Sequence, residues 1–409
     1  MKILLLCLRF PYPPSDGGTI AMYNMAYALH KAGAQVKILS FNTKKHYVDL
    51  KNVPEEFTKI FKPESVYLDA TVKAVPAFLN LFSSESYNIS RFNVQEFHDK
   101  LEEILSHETF DIIQLESLFV TPYLTTIRKF TSAKIVFRAH NVEYIIWERL
   151  AASTRNPVKK WYLNLLAAKL KDYELSLLNK FDSIVVLTED DKNIFMKSGC
   201  TIPVLVSPIG LDTEKYQVTE ADKSSLSVFH LGSMDWLPNI EAIDWFLEKV
   251  YPLVTNSNIA FNIYLAGKNM PQRVFDRAAK NLVVTGKVDD AKKFMHDKAI
   301  MIVPLLSGGG MRVKIIEGLA MGKTIISTTI GAEGINYTDG KNIIIANSPE
   351  DFSRAILKCV SDLEYCRKIG KEARLLAENV FENAILGKDL LKFYQSEHER
   401  KNEISSNTK

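Results

Sequence analysis

The segment "AIMIVPLLSGGGMRVKIIEGLAMGKTIIST" (Ala299–Thr328) contains the pattern that decides the fold. Its apolar run Ala299–Leu306 predicts a buried strand, and the glycines of Ser307–Gly310 predict a turn. Met311–Met321 then has apolar residues at helical spacing, and a second apolar, β-branched run follows at Thr324–Thr328. A strand, a helix and another strand in this order indicate a parallel sheet covered by helices.

The same alternation continues along the chain. Further strands are predicted at Ile3–Leu8, Gln35–Phe41, Asp111–Leu115, Lys134–Arg138, Asp182–Leu187, Ser227–Leu231, Ala260–Leu265, Leu282–Thr285 and Asn342–Ala346. The strand–loop–helix pattern opens at residue 1 and starts again at Ser227, after a polar and irregular stretch. We therefore predict an α/β protein with two Rossmann-like, doubly wound domains that face each other across a cleft. Their predicted limits are residues 1–208 and 209–375, and a helix in 376–409 is expected to return towards the first domain.

Composition excludes several classes of protein. The chain has 409 residues, of which 46% are hydrophobic and 24% charged, and its formal net charge is +3, so a nucleic-acid binder is not expected. The four cysteines show no C-x-x-C spacing, which favours reduced thiols over a disulfide framework or a zinc site. The apolar run Ile3–Leu8 is too short for a signal peptide or a membrane span. The expected location is cytoplasmic.

The tripeptide "GKT" at Gly322–Thr324 resembles the end of a Walker A loop, but its context is wrong. A Walker A loop needs a glycine five residues before the Gly-Lys pair, where this sequence has Glu317. It must also follow a strand and open a helix, whereas here a helical pattern precedes it and a strand follows. Gly322 is therefore predicted to end a helix.

The glycines before Met311 predict an anion site. Arg312 and Lys314 lie at the start of the predicted helix, where the helix dipole disfavours cations unless an anion binds there. Glycines allow close backbone approach, and this combination suits a diphosphate. Glu317 follows on the same helix face, where a carboxylate would bind neutral hydroxyls such as those of a ribose. The alternative is a solvated helix start with an ordinary Lys314–Glu317 surface pair.

Several motifs in order resemble the retaining, nucleotide-sugar-dependent glycosyltransferases of family 4, which have the GT-B architecture. The matching segments are "PSDGG" (Pro14–Gly18), "RAHNVEY" (Arg138–Tyr144), "DSIVVLTEDD", "VSPIGLDTEKY", "VTGKVDD" and "IVPLLSGGGMRVKIIEGLAMGKTIIST". The resemblance covers most of the chain. It implies a metal-independent transfer from a nucleoside-diphosphate sugar, which is a substrate, so that no cofactor is expected. It also implies a glycan or lipid-linked acceptor, with a role in cell-surface polysaccharide or glycoconjugate synthesis.

The sequence departs from the family pattern at positions that bear on the diphosphate. The family carries two glutamates with seven residues between them; Glu317 matches the second, which contacts the nucleotide ribose, and Gly309 replaces the first. Ser233 and Pro238 stand where the family has an arginine and a lysine. A further departure is Ile209, where the family has an asparagine. These changes are consistent with Arg312 and Lys314 having taken over the charge of the missing pair.

The candidate site follows from the motifs and the resemblance together. The predicted catalytic residues are His140, Glu143, Arg312 and Lys314. The predicted donor-binding residues are Gly17, Gly18, Gly232, Ser233, Gly286, Val288, Gly309, Gly310, Met311, Arg312, Lys314 and Glu317. No metal ligands are expected, because no D-x-D pattern occurs near a plausible site. Glu116, Glu143 and Glu189 are unranked candidates for an acceptor-side carboxylate.

The acceptor and the activity leave alternatives open. The helical pattern Arg155–Tyr173 is basic, with Trp161 and Tyr162 among its apolar residues, so it is either a half-buried domain helix or a peripheral contact with the inner face of a membrane. Other activities for the same fold are a nucleotide-sugar epimerase, a phosphorylase, or a non-catalytic subunit that binds nucleotide sugars. A nicotinamide dehydrogenase is excluded because no G-x-G-x-x-G follows either opening strand.

Overall fold

The computed structural model describes residues 1–72, 80–83, 85–218, 221, 226–257 and 259–407. The chain forms two compact units. The first contains Met1–Gly210 and Asn383–Lys409, and the second contains Leu211–Glu382. Residue 376, the predicted start of the returning segment, lies inside helix Leu363–Val380 of the second unit. The chain returns to the first unit only with its last helix.

Within the described residues, the first unit has a seven-stranded parallel sheet of order β3-β2-β1-β4-β5-β6-β7. Its strands are β1 (Lys2–Cys7), β2 (Gln35–Thr43), β3 (Glu64–Leu68), β4 (Ile112–Glu116), β5 (Lys134–Ala139), β6 (Ser183–Val186) and β7 (Val204–Val206). Sequence patterns predicted the five central strands and missed β3 and β7. Both are edge strands with mostly half-buried residues, so they lack the continuous apolar run of a central strand.

Helices cover both faces of this sheet. They are Gly17–Lys31, Glu55–Phe61, Tyr87–Ser90, Gln95–His107, Leu124–Phe130, Glu143–Ser153, Pro157–Leu177, Glu189–Lys197 and Asn383–Asn407, with 3-10 turns at Lys44–His46, Leu50–Asn52, Asn80–Phe82 and Leu118–Tyr123. The last helix packs against the first helix. Gly387 allows this approach, because a Cβ there would lie only 2.3 Å from the carbonyl oxygen of Ala28.

The second unit has a six-stranded parallel sheet of order β10-β9-β8-β11-β12-β13 within the described residues. Its strands are β8 (Ser227–Leu231), β9 (Asn262–Ala266), β10 (Leu282–Gly286), β11 (Ile300–Val303), β12 (Thr324–Ser327) and β13 (Ile344–Ile345). Its helical segments are Thr213–Lys215 (3-10), Leu237–Trp245, Phe246–Val250 (π), Tyr251–Thr255, Gln272–Phe275, Ala291–His296, Val313–Ala320, Pro349–Ser361 and Leu363–Val380. The predicted α/β class with two Rossmann-like domains is confirmed.

Strand order creates a switch point in each unit, between β1 and β4 in the first sheet and between β8 and β11 in the second. In such sheets ligands bind beyond the carboxyl ends of the strands at this point. The quoted segment Ala299–Thr328 forms β11, a glycine-rich loop, helix Val313–Ala320 and β12. Gly322 ends that helix with φ +67°, and its N–H donates to the carbonyl of Leu319 at 2.9 Å. This conformation confirms its predicted role as a helix terminator.

Candidate active site

The loops after β8 and β11 lie side by side, because their strands are neighbours at the switch point of the second sheet. Trp236, from the first of these loops, packs on Gly308 and Arg312 of the second. The guanidinium carbon of Arg312 lies 4.7 Å from the ring centre of Trp236. Gly308 has φ +107°, and a Cβ there would lie 2.7 Å from Cζ2 of the same ring. Any larger residue at 308 would separate the two loops.

Arg312 closes the glycine-rich loop on itself. Its Nη1 donates to the carbonyl oxygens of Gly309 and Gly310. The helix was predicted to begin at Met311, but it begins at Val313, and Arg312 is the extended N-cap residue with φ −90° and ψ 97°. The difference arises because Gly310, with φ +81°, turns the chain only two residues before the cap. The guanidinium therefore lies at the helix start, outside its first turn.

Lys314 and Glu317 form an ion pair, with Nζ 2.5 Å from Oε2. Glu317 is not a surface residue, because its side chain is only 9% exposed, whereas Lys314 is partly open to solvent. The hydroxyl of Tyr216 donates to the other carboxylate oxygen of Glu317 at 3.2 Å, and Lys292 lies over the Tyr216 ring. Burial, and then the Glu317 carboxylate, raise the pKa of Tyr216. The Lys314–Glu317 pair expected of an ordinary helix surface is therefore present, but Glu317 is buried.

The remaining predicted donor-binding residues of the second unit lie at or just after the ends of strands of this sheet. A Cβ on Gly232 would lie 2.7 Å from Nδ2 of Asn239, and that amide donates to the carbonyl of Ser233 at 2.8 Å. Gly286 ends β10 with φ +69°, and Val288 lies in the loop that follows. Because β10 is two strands from β8, these last two residues lie about 10 Å along the same sheet edge from Gly232.

His140 and Glu116 meet at the carboxyl ends of β5 and β4 in the first unit. Nε2 of His140 lies 2.7 Å from Oε2 of Glu116, which also accepts from Nη1 of Arg138 at 2.8 Å. Arg138 and Glu116 have fully buried side chains. Burial, and to a smaller extent the charges of Arg138 and Arg9, lower the pKa of His140, although Glu116 opposes them. These effects favour the neutral imidazole of His140 at pH 7.

Gly17 and Gly18 open the first helix, after the loop that follows β1. The carboxylate of Asp16 caps this helix by accepting from the N–H groups of Gly18 and Thr19, and it binds Arg9 in a two-bond ion pair of 2.6 and 2.9 Å. A Cβ on Gly18 would lie 2.7 Å from Nη2 of Arg9. The glycine thus lets an arginine rest against the helix start at the same sheet edge as His140.

Glu143 begins the helix after His140, and its carboxylate accepts a hydrogen bond from the Asn141 side chain. Burial raises the pKa of Glu143 to about 7. The buried Glu174 caps this helix, since its two oxygens accept from the N–H groups of Glu143 and Tyr144 at 3.1 and 3.0 Å. Burial and the nearby Glu143 raise the pKa of Glu174 to about 8.

The family of the chain is decided by its match to two family profiles. The profile "Glycosyltransferase Family 4" matches residues 15–215, and "Glycosyl transferases group 1" matches residues 225–362. The chain belongs to the family 4 glycosyltransferases. This membership confirms the resemblance seen in the sequence motifs, and it makes the protein a glycosyltransferase.

Relatives of this glycosyltransferase are distant. An uncharacterized 44.6 kDa protein in the cps region of Klebsiella pneumoniae is 23% identical over 392 residues, which cover 91% of this chain and 94% of that protein. Among solved structures, Anabaena HepE in complex with UDP-glucose has a TM-score of 0.65 at 14% identity, covering 97% of this chain and 100% of HepE. A glycosyltransferase from Rickettsia africae has the same TM-score at 18% identity, covering 97% and 98%. These structures support the GT-B fold.

Sequence reasoning missed Glu174, Trp236 and Arg9 in this glycosyltransferase. A signal for Glu174 exists, because it lies at helical spacing between the buried Leu170 and Leu177. The other two carry no local signal. Of the three unranked carboxylates, Glu116 is buried and Glu189 is exposed at a helix start. Among the described residues there is no group of three or more side chains able to hold a metal ion, and no helix long and apolar enough to cross a membrane.

Proposed function

We propose that this glycosyltransferase moves a sugar from a nucleoside-diphosphate sugar to a glycan or lipid-linked acceptor, with retention of anomeric configuration. Support for the donor comes from the fold shared with HepE, whose structure contains UDP-glucose. Support for a role in polysaccharide or glycoconjugate synthesis comes from the relative in the cps region. The hexosyl specificity and the retaining course are part of the proposal.

The observation that carries the proposal is the glycine-rich loop capped by Arg312 at the start of helix Val313–Ala320. Departure of a nucleoside diphosphate leaves negative charge on its phosphate oxygens, and the enzyme must stabilise that charge. The helix start supplies backbone N–H groups, Arg312 supplies a guanidinium at the N-cap, and Lys314 supplies an ammonium in the first turn. On donor binding, Nη1 of Arg312 exchanges its loop carbonyls for phosphate oxygens. These charges allow the reaction to proceed without a metal ion.

Glu317 is proposed to bind the ribose of the donor. Its carboxylate is buried beside the hydroxyl of Tyr216, and Lys314 separates it from the helix start. A carboxylate in this position can accept hydrogen bonds from two neutral hydroxyls without facing the phosphates. Backbone groups near Gly286 and Val288 are then proposed to border the nucleobase, further along the same sheet edge.

In the first unit, His140 and Glu143 are proposed to act on the reacting sugar and the acceptor. The neutral imidazole of His140 can orient a donor or acceptor hydroxyl. Glu143, with a pKa of about 7, can exchange a proton near neutral pH. Gly18 leaves room for the Arg9 guanidinium at the start of the first helix, and Gly17 and Gly18 are proposed to let a substrate approach this charge.

A lipid-linked acceptor is favoured by the exposed start of helix Pro157–Leu177. Val158 is 73% exposed and Trp161 is 61% exposed, and the cations Arg155, Lys159 and Lys160 beside them are exposed too. Basic residues with an interfacial tryptophan bind the surface of anionic membranes. We propose that this helix start rests on the inner face of the membrane. The wild-type protein should sediment with anionic vesicles, whereas the double variant Trp161→Ser/Lys160→Glu should stay in the supernatant. Equal sedimentation of both proteins would contradict the membrane contact.

The proposed activity is tested by incubating the protein with UDP-, GDP- and ADP-sugars and measuring nucleotide release with and without membrane extract. Release of a nucleoside diphosphate from one donor supports the transferase. Tight binding of a nucleotide sugar without any release would instead support a non-catalytic subunit, an alternative that the replacement of the first family glutamate by Gly309 favours. Binding of none of the donors would contradict the proposal.

A further inference from the structure

Glu116 is the centre of a buried hydrogen-bond network in the first unit. Its Oε2 accepts from Nη1 of Arg138 at 2.8 Å and lies 2.7 Å from Nε2 of His140. Its Oε1 accepts from the amide of Gln114, whose own oxygen accepts from the hydroxyl of Tyr394. The carboxylate itself is 0% exposed, so it reaches a substrate only through a neighbour.

The network determines which ring nitrogen of His140 holds the proton. Burial acts to raise the pKa of Glu116, but Arg138 and His140 outweigh it and hold that pKa at about 2. An ionised carboxylate only accepts hydrogen bonds, so the 2.7 Å contact requires a proton on Nε2 of His140. Nη1 of Arg138 also lies 3.3 Å from this nitrogen, but an unprotonated Nε2 would leave two acceptors facing each other at 2.7 Å, which excludes that arrangement. Because the ring is neutral, Nδ1 has no proton.

We propose that Glu116 is a positioning residue, which holds His140 with its proton on Nε2 and so makes Nδ1 the acceptor for a substrate hydroxyl. The inference rests on the proposed function, which places His140 at the substrate. The His140 side chain is 15% exposed, whereas Glu116 and Arg138 are covered, so His140 alone of these three reaches the surface. None of the hydrogen bonds among the described residues uses Nδ1 of His140.

The last helix of the chain takes part in this arrangement. Tyr394 lies in helix Asn383–Asn407 and is fully buried against the sheet. By donating to the oxygen of Gln114, it turns the NH₂ group of that amide towards Glu116. Without the Tyr394 hydroxyl, the Gln114 amide keeps its bond to the carboxylate but loses the second contact that fixes its position. Tyr394 therefore orients the carboxylate that orients His140.

The first test measures the tautomer directly. The chain has eight histidines, so ¹⁵N-histidine labelling with His140→Asn as the assignment variant identifies the His140 signals. We expect the neutral Nε2–H tautomer in wild type at pH 7. An Nδ1–H tautomer or a doubly protonated ring would overturn the inference. Since no substrate is present, this result is independent of whether the proposed transferase activity is found.

The second test is a double-mutant cycle on turnover. Glu116→Gln leaves Arg138 buried beside a neutral group and is at risk of misfolding, so Tyr394→Phe is the milder variant. It should leave the His140 ring less firmly oriented and lower kcat by about threefold or more, but have almost no effect in a His140→Asn background. Equal losses in both backgrounds would show a merely structural role and overturn the inference.

A matched control uses a carboxylate at the opposite, amino ends of the strands of the same sheet. Asp182 accepts from the N–H of Ile135 and from Nη2 of Arg128, both at 2.8 Å. Asp182→Asn breaks a comparable carboxylate–arginine pair at the amino ends of β5 and β6. It should lower stability while leaving the His140 tautomer unchanged. A tautomer change in this control would mean that His140 responds to general destabilisation, which would overturn the role of Glu116.

Discussion

The guanidinium of Arg312 is stacked on the indole of Trp236, with 4.7 Å between the guanidinium carbon and the ring centre. The two residues come from loops after different strands, β8 and β11, which are adjacent at the switch point of the second sheet. The contact holds the guanidinium at the start of helix Val313–Ala320. The resemblance implied a cation pair after β8, but the chain has Ser233 in the loop and Pro238 in the first turn of helix Leu237–Trp245. This position agrees with the proposal that Arg312 supplies charge for the donor diphosphate.

Replacing Arg312 or Lys314 by alanine should each lower kcat/KM by tenfold or more, an effect of roughly 1.4 kcal/mol. The reason is the loss of charge stabilisation for the departing diphosphate. Steady-state kinetics on folded protein measure it. Arg273→Ala is the control, because Arg273 forms an exposed pair with Asp244 on the same unit and should not change kcat/KM. Full activity in both loop variants would rule out the diphosphate site.

Trp236→Ala should weaken donor binding, because Arg312 loses the aromatic surface that orders it. We expect the KM for the nucleotide sugar to rise by about threefold or more, consistent with a cation–π contact of about 1 kcal/mol. Trp236→Phe retains an aromatic face and should lie between wild type and the alanine variant. If both substitutions leave KM unchanged, the stack does not contribute to the donor site.

Substitutions of Glu317 test its proposed contact with the ribose of the donor. Affinity for the free nucleoside diphosphate should fall from wild type to Glu317→Gln to Glu317→Ala, since a charged acceptor is worth about 1.5–3 kcal/mol per hydrogen bond. Calorimetry on folded protein measures this. Tyr216→Phe removes the hydroxyl that donates to Glu317 and keeps the carboxylate, so its affinity should stay close to that of wild type. Unchanged affinity in Glu317→Ala would leave only the ion pair with Lys314 to explain this residue.

Transfer should continue in excess EDTA, because the proposed charge stabilisation comes from Arg312, Lys314 and the helix start. The measurement is nucleotide release before and after dialysis against the chelator. Complete loss of activity that is restored by Mg²⁺ or Mn²⁺ would contradict the metal-independent mechanism.

Stability should fall as the pH rises from about 6.5 to about 8, above the range in which histidines with lowered pKa values such as His230 and His140 have the opposite effect. Burial raises the pKa values of Glu143 and Glu174 from 4.5 to about 7 and about 8, so the folded state holds protons that the unfolded state has already released. Each such group contributes a slope on the order of 1 kcal/mol per pH unit within its own window, and the loss is complete above about pH 8. Thermal melts over this range should show the decline, and Glu174→Gln should flatten it. A decline of the same steepness in that variant would show that other groups cause it.

Local sequence patterns are sufficient to predict the α/β class, the central strands and the glycine-rich loop before a helix. These features depend on local periodicity: continuous apolar runs mark buried parallel strands, and glycine before a 3.6-residue repeat marks a turn into a helix. The edge strands β3 and β7 are half exposed, so that signal fades and they were missed. The roles of Arg312, Lys314, Glu317, His140 and Glu143 remain predictions.

Only the tertiary structure decided which side chains meet. Trp236 reaches Arg312 because β8 and β11 are neighbours, although they are far apart in the chain. Tyr394 reaches Gln114 because the last helix packs back on the first sheet. Glu116 and Glu174 look like ordinary charged residues in the sequence, and their burial depends on elements from elsewhere in the chain. Local patterns indicate which segments form strands and helices. The contact partners of a side chain depend on strand order and helix packing, which are set by contacts between segments distant in the chain.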